Sequence, residues 1–384
     1  LSYMSFAIGY IAGPFGAIFF GHIGDRKGRK VTMYASLLMM GISTSIIGIL
    51  PPAASAGVGV VIVLQLMRLA QCFGRGGTWG GGILMAYENV PENKRSFYAA
   101  IPQIGLPIGF GLSSILIAVP TLLLPEDIFF TWGWRIPFLA AIILTLIVIR
   151  QKGEMMETED YKKAQAKLEA EEAEGKKHKV GFIPMVKGYW KTLLLGCGTR
   201  WVDGTFYNIF IVWILSYCIN WLGMPLIQTY IITIIACIFK IPFTLFGGWC
   251  AQKLGNTRTF VIGALASAVL SIPTLKVIEL SKGNLAITII GIVLGWSIAY
   301  NLIWAVISSL WSSYFETEVR YSGISFVYHV PSFLVAGMVP TICTLLINYG
   351  KGDTIYVGIY STVVALISAA CALALKARHD RGEK

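Results

Sequence analysis

The chain has 384 residues, 55% of them apolar and only 13% charged, with a formal net charge of +11. Soluble domains carry about 25% charged residues, so a soluble globular fold is excluded. Eleven apolar stretches are instead long enough to cross a ~30 Å hydrocarbon core as helices, and none alternates as a barrel strand does.

The expected spans are 2–20, 31–50, 60–86, 97–119, 136–150, 193–216, 226–248, 259–275, 284–312, 323–347 and 355–375. The chain opens on Leu1 with no Met, no signal peptide and no basic flank. An odd number of spans would leave the two termini on opposite sides, so one further helix is expected before the first. Between the first two spans, Gly21-His-Ile-Gly-Asp25-Arg26-Lys-Gly28-Arg29-Lys30 forms a tight basic hairpin. A weaker copy follows 227 residues later at Gly248-Trp-Cys-Ala-Gln252-Lys253-Leu-Gly255. Repeated halves in an apolar chain are the mark of a secondary transporter.

In the 60–86 span, Arg68, Gln71, Arg75, Thr78 and Gly82 recur at spacings of three and four and so share one helix face. Charged groups are costly in lipid and face a cavity. Arg68 and Arg75 are therefore expected to hold a carboxylate, with a structural role bonded to helix carbonyls as the other reading of Arg68. Six glycines between Gly74 and Gly82 make this helix thin enough for close approach. Arg95-Ser-Phe-Tyr98 is echoed by Arg320-Tyr-Ser-Gly323, and Gln103 follows in the next span.

Residues 151–191 break the apolar pattern with mixed charge and high helix propensity. A cytoplasmic linker is expected there, between an N-terminal bundle (1–150) and a C-terminal bundle with a short tail (192–384). In the 193–216 span, Arg200 and Asp203 lie three apart, with Tyr207 a turn on. Asp203 is the one carboxylate well inside a span. It either releases Arg200 on protonation, coupling protons to substrate, or forms a static pair. Lys240 either lines the cavity or snorkels inward. Trp296, Tyr300 and Trp304 form a stripe for packing or for stacking on a guest. His329 is a second candidate for proton coupling, or a hydrogen-bonding packing residue.

Of the 31 Lys and Arg residues, 23 fall on one side of the expected topology and four on the other. That asymmetry marks the basic loops and the C-terminus as cytoplasmic and argues against nucleic acid. The seven cysteines are odd in number and lie mostly in or beside spans, so no disulfide framework is read. There is no phosphate loop of the Gly-x-x-x-x-Gly-Lys type, hence no ATP-driven pump, and no enzyme, cofactor or metal pattern.

The 21–30 hairpin resembles the loop motif of the major facilitator superfamily. Arg68-Leu-Ala-Gln-Cys-Phe-Gly-Arg-Gly-Gly-Thr-Trp-Gly-Gly82, Glu88-Asn-Val-Pro-Glu-Asn-Lys-Arg-Ser-Phe-Tyr98 and Trp132-Gly-Trp-Arg-Ile-Pro-Phe138 resemble its metabolite:proton symporter branch. So do Arg200-Trp-Val-Asp203 and Val319-Arg-Tyr-Ser-Gly323. The resemblance implies an all-α membrane protein of two six-helix bundles, its first helix lying before this sequence. It implies a monomer in the inner membrane, surrounded by lipid and working by alternating access. It also implies gating by Gly21, Asp25, Arg26, Gly28, Arg29, Arg95 and Arg320, with Asp25 near the start of the 323–347 helix. Thr78 departs from the branch, which usually has Glu there. Within the spans, Arg68, Arg75, Arg200 and Lys240 outnumber Asp203, which favours a small organic anion. The resemblance implies that it is carried with protons. A zwitterionic osmolyte carrier and an uncoupled facilitator or exchanger are the alternatives.

Overall fold

A computed structural model describes residues 2–52, 57–151, 157–173 and 182–383. The charged runs at 152–156 and 174–181 in the expected linker lie outside the described residues. Among the described residues the chain is helical, with no strand.

The first five long helices are α1 (Ser2–Lys27), α2 (Arg29–Ile49), α3 (Val58–Glu88), α4 (Glu92–Leu123) and α5 (Gly133–Arg150). A polar helix, α6 (Glu159–Ala173), follows. Then come α7 (Met185–Asn220), α8 (Leu226–Leu254), α9 (Asn256–Leu280), α10 (Leu285–Ser312), α11 (Arg320–Tyr349) and α12 (Ile355–Asp380). Ten of these helices are long and apolar enough to cross a membrane, and α1 adds 26 helical residues. The protein is thus a multi-pass α-helical membrane protein. Its outer surface is greasy, as lipid contact requires: Phe15, Leu123, Val269 and Leu345 are all exposed.

The sequence repeat is also a backbone repeat. Gly28 breaks α1 from α2 at φ 106°, ψ 157°, and Gly255 breaks α8 from α9 at φ 87°, ψ 151°. This conformation is essentially confined to glycine. It lets two helices meet with no intervening loop.

Small residues set the tightest helix contacts. A Cβ on Gly16 of α1 would overlap the Phe73 backbone of α3, and one on Gly76 would lie 2.7 Å from the Gly13 carbonyl. Such contacts let helices associate where no hydrophobic effect drives them together. The helices before residue 151 pack mainly on one another, as do those after 182. Two pairings dominate the join between the groups, α1 with α11 and α4 with α8, and α4 with α10 and α3 with α11 add to it. A cavity lies between them.

Three helices carry a π-helical turn: Ile209–Trp213 in α7, Val293–Ala299 in α10 and Phe333–Gly337 in α11. In α11 the turn begins two residues after Pro331, whose ring and missing N–H disrupt the α-helical ladder. In α4 the helix tightens at Pro102–Ile104 for the same reason.

The end of the molecule holding Arg26, Arg95 and Arg320 is called the basic end below. At the opposite end, the Lys276 ammonium bonds Glu279 at 3.0 Å and Asp353 at 2.6 Å. That hydrogen bond holds the Asp353 carboxyl below its ordinary range. Arg135 joins the start of α5 to the Leu50 carbonyl at 2.8 Å.

Candidate functional site: a central cavity closed at the basic end

The cavity has a volume of about 520 Å³, a size suited to a small metabolite. Arg75 of α3, Gln103 of α4, Arg200, Asp203 and Tyr207 of α7, and His329 of α11 line it. Its aromatic wall includes Trp79, Phe110, Trp304 and Tyr328.

The floor is built by reciprocal bonds between the two groups of helices. The Gln103 side-chain amide donates to the Trp304 carbonyl at 3.0 Å, and the Trp304 indole donates to the Gln103 carbonyl at 3.0 Å. Beside it, Trp79 stacks on Tyr328 at 4.1 Å between centroids. The Arg200 guanidinium lies 4.2 Å from the Tyr328 ring. One aromatic ring therefore ties α3 to α11 and positions a cation at the cavity wall.

Arg200 also donates to the Tyr328 carbonyl at 3.3 Å and forms a buried ion pair with Asp203. The other Asp203 oxygen accepts from the Tyr300 hydroxyl. Both carboxylate oxygens are thereby engaged, which a buried carboxylate requires. His329 is buried, and its Nε2 has no hydrogen-bond partner among the described residues.

Other expected site residues lie elsewhere. Arg68 is exposed and outside the cavity lining. Seven residues from Arg75 keep it on the same face but carry it about 10 Å further from the basic end. Gln71 and Thr78 turn toward α2 instead: Gln71 donates to the Thr44 hydroxyl at 2.5 Å, and Thr78 bonds Ser36 at 3.1 Å. A face defined by spacings of three and four is broad, and its flank belongs to a neighbouring helix.

Lys240 is fully buried and does not line the cavity. Its ammonium sits 4.4 Å from the Trp296 ring and 4.3 Å from the Tyr300 ring, with no hydrogen-bond partner among the described residues. Desolvated contacts of this kind contribute about 2 kcal/mol. Two members of the aromatic stripe are therefore occupied by an internal cation, and only Trp304 faces the cavity.

At the basic end, Asp25 accepts from the Tyr321 and Ser322 amides at 3.2 and 3.0 Å and so caps the first turn of α11. Gly21 permits this approach, because a Cβ there would meet the Ser322 Cα at 3.0 Å. Arg29, wholly buried, bonds Asp25 at 3.2 Å and the Thr317 carbonyl at 2.8 Å. Glu88 stands between Arg29 at 3.5 Å and Arg320 at 2.9 Å. The segment leading into α6 lies over this network. Glu157 accepts from the Arg29 amide at 2.9 Å, and Thr158 donates to Glu88 at 2.7 Å. Asp160 pairs with Arg95 at 2.7 Å and Arg320 at 3.6 Å. The Tyr161 hydroxyl donates to the Arg26 carbonyl at 2.9 Å.

Glu88 and Asp160 were not singled out from sequence, and Tyr300 was expected in an aromatic stripe, not as a hydrogen-bond donor to Asp203. Glu88 and Asp160 looked like ordinary loop acids. Buried position next to several arginines, the property that distinguishes the two acids, has no local sequence signal.

The chain matches the family described as Major Facilitator Superfamily over residues 2–340. It is 33% identical to the inner membrane metabolite transport protein YhjE of Escherichia coli K12, covering 99% of this chain and 85% of that protein. It is 30% identical to the shikimate transporter of the same organism, over 98% of this chain and 84% of that one. Against the proline/betaine transporter of Salmonella typhimurium LT2 the identity is 27%, over 98% and 75%. Among solved structures, the proton:xylose symporter XylE bound to 6-bromo-6-deoxy-D-glucose superposes with a TM-score of 0.74 at 16% identity, over 97% of this chain and 85% of that one.

Proposed function

The chain belongs to the major facilitator superfamily, a family of transporters, and from that premise we propose that it carries a small organic anion inward across the inner membrane together with protons. The observation that carries this reading is the charge of the cavity wall. Arg75 and Arg200 face it with Asp203 as the one carboxylate among the described lining residues. In a low-dielectric cavity a net positive wall selects for an anion, and guanidinium forks suit a carboxylate. The 30% identity to a shikimate transporter supports a carboxylate guest.

The basic end is assigned to the cytoplasm, since Lys and Arg in short loops orient spans inward. The conformation described then has its cytoplasmic side closed and its cavity on the outer side of the floor. Asp203 and His329 are the proton-coupling candidates, and Gly21, Asp25, Arg26, Gly28, Arg29, Arg95 and Arg320 form the gate. The chain acts as a monomer with its C-terminus inside.

A zwitterion such as betaine is a second reading, favoured by the aromatic wall of Trp79, Phe110, Tyr207 and Trp304. Uptake of labelled shikimate, 2-oxoglutarate and betaine by the full-length protein in proteoliposomes separates them. An acid accumulated under an inward proton gradient supports the anion:proton reading. Betaine uptake that neither acid competes with establishes the second. Acid uptake indifferent to the gradient removes proton coupling.

A further inference from the structure

Asp203 lies between two cations of different exposure. Arg200 holds one carboxylate oxygen from the cavity wall, while Lys240 lies sealed behind Tyr300. Tyr300 touches both groups, its hydroxyl donating to Asp203 and its ring face 4.3 Å from the Lys240 ammonium. A single phenol therefore separates a buried carboxylate from a buried ammonium that has no oxygen partner among the described residues.

We propose that Lys240 is a positioning residue for transport: a caged internal cation that takes over Asp203 when an anionic substrate draws Arg200 away. This rests on the anion reading above.

An anion at Arg200 would compete with Asp203 for the same guanidinium. A carboxylate left alone in a low-dielectric interior is strongly unfavourable, so the site needs a second cation within reach. Lysine suits that role, being a compact charge on a flexible four-carbon stem. Trp296 and Tyr300 hold the ammonium by cation–π contact, which is less directional than a salt bridge and simpler to leave. Tyr300 directly follows the π-helical turn Val293–Ala299, a backbone irregularity common at sites that shift. The remaining charged or titratable groups facing this network are Arg75, Tyr207, Tyr328 and His329 at the cavity and Cys237 beside Lys240. None of them is a carboxylate, so none competes with Asp203 for Lys240. Charge is then matched around Asp203 in both the empty and the loaded carrier.

The first test uses no substrate, so its outcome is independent of the anion reading. Thermal unfolding of the purified full-length protein is compared for the parent, Lys240→Met, Arg200→Gln and the double variant. Lys240→Met alone should leave the midpoint unchanged or raise it. In the Arg200→Gln background the same substitution should lower it by about 4 °C, because Asp203 then loses both cations. A double variant that yields no folded protein, when each single variant does, is the same coupling at its extreme. An equal effect of Lys240→Met in both backgrounds reduces Lys240 to packing and overturns the proposal. The second test is labelled shikimate uptake. Lys240→Met should raise KM for shikimate about tenfold with little change in maximal rate, because loading then leaves Asp203 without a cation, and Lys240→Arg should partly restore it. An unchanged KM, or a loss confined to the maximal rate, would also overturn it.

Discussion

Asp25 and Ser322 meet across the interface between the two groups of helices, the Asp25 carboxylate accepting from the Ser322 amide at 3.0 Å and from its hydroxyl at 2.5 Å. A carboxylate at a helix N-terminus gains about 0.3–1 kcal/mol from the dipole, and hydrogen bonds to a charged group add about 1.5–3 kcal/mol. The bond therefore favours the closed basic end.

Asp25→Asn should weaken that closure by about 2 kcal/mol, since an amide offers one acceptor oxygen to the three donors of α11 and to Arg29. Maximal transport should slow while equilibrium binding changes little. Gln252, at the equivalent place in the second half, is exposed, and Gln252→Asn should do nothing comparable. The readout is maleimide labelling of Ser308→Cys, a buried position one turn beyond Trp304 where the hydroxyl donates to the Ala99 carbonyl at 3.4 Å, above the background of the native cysteines. An unchanged labelling rate and transport rate in Asp25→Asn would leave the hairpin with a topological role only.

Gly28→Ala should destabilise the protein more than Gly255→Ala. Both force an L-residue into a conformation costing about 1–3 kcal/mol. At Gly28 the added Cβ would also collide with the Glu157 carboxylate, whereas nothing lies within 4 Å at Gly255. Thermal unfolding of the two variants compares them directly, and equal losses would show that the Glu157 contact contributes nothing.

Arg75→Gln should raise KM for an organic acid about 30-fold, the loss of roughly 2 kcal/mol of charge-assisted bonding. Arg68→Gln should leave uptake near the parent value, because Arg68 lies outside the cavity. Uptake measured at matched expression decides, and the reverse order would move the binding site outward.

Glu88→Gln should be among the more damaging single substitutions. It keeps an acceptor for Thr158 but leaves Arg29 and Arg320 facing each other without their shared anion. Breaking a buried pair costs about 3–5 kcal/mol. A melting temperature within experimental error of the parent would show that Asp25 and Asp160 suffice to balance the two arginines.

Helix count and order were legible because the signal is cumulative: each span needs about 20 apolar residues, and no single one decides it. The Gly28–Gly255 equivalence was legible because only glycine tolerates that backbone. Within the cavity, Arg75, Gln103, Arg200, Asp203, Tyr207 and His329 were named from sequence, since polar groups in lipid have few places to go. Lys240 and Arg68 were misplaced for the same reason. The rule says that a charge in a span faces something polar or aromatic, and leaves open whether that is a cavity, a cage of Trp296 and Tyr300, or the exposed surface away from the basic end. Periodicity fixes the face of a helix and not its depth or its neighbour, which is why Thr78 went to Ser36.

The segment from Glu157 to Tyr161 has a consequence for the direction of flux. On the proposed orientation, with the basic end inside, its bonds to Arg26, Arg29, Glu88, Arg95 and Arg320 would hold the empty carrier with its cavity presented outward. A binding site exposed on one side for only a small fraction of the time has a correspondingly weaker apparent affinity there. Influx would then saturate at lower solute concentration than efflux, although the gradient alone fixes the end point. The segment would act as a kinetic rectifier, suited to scavenging a scarce solute without leaking the pool already gained.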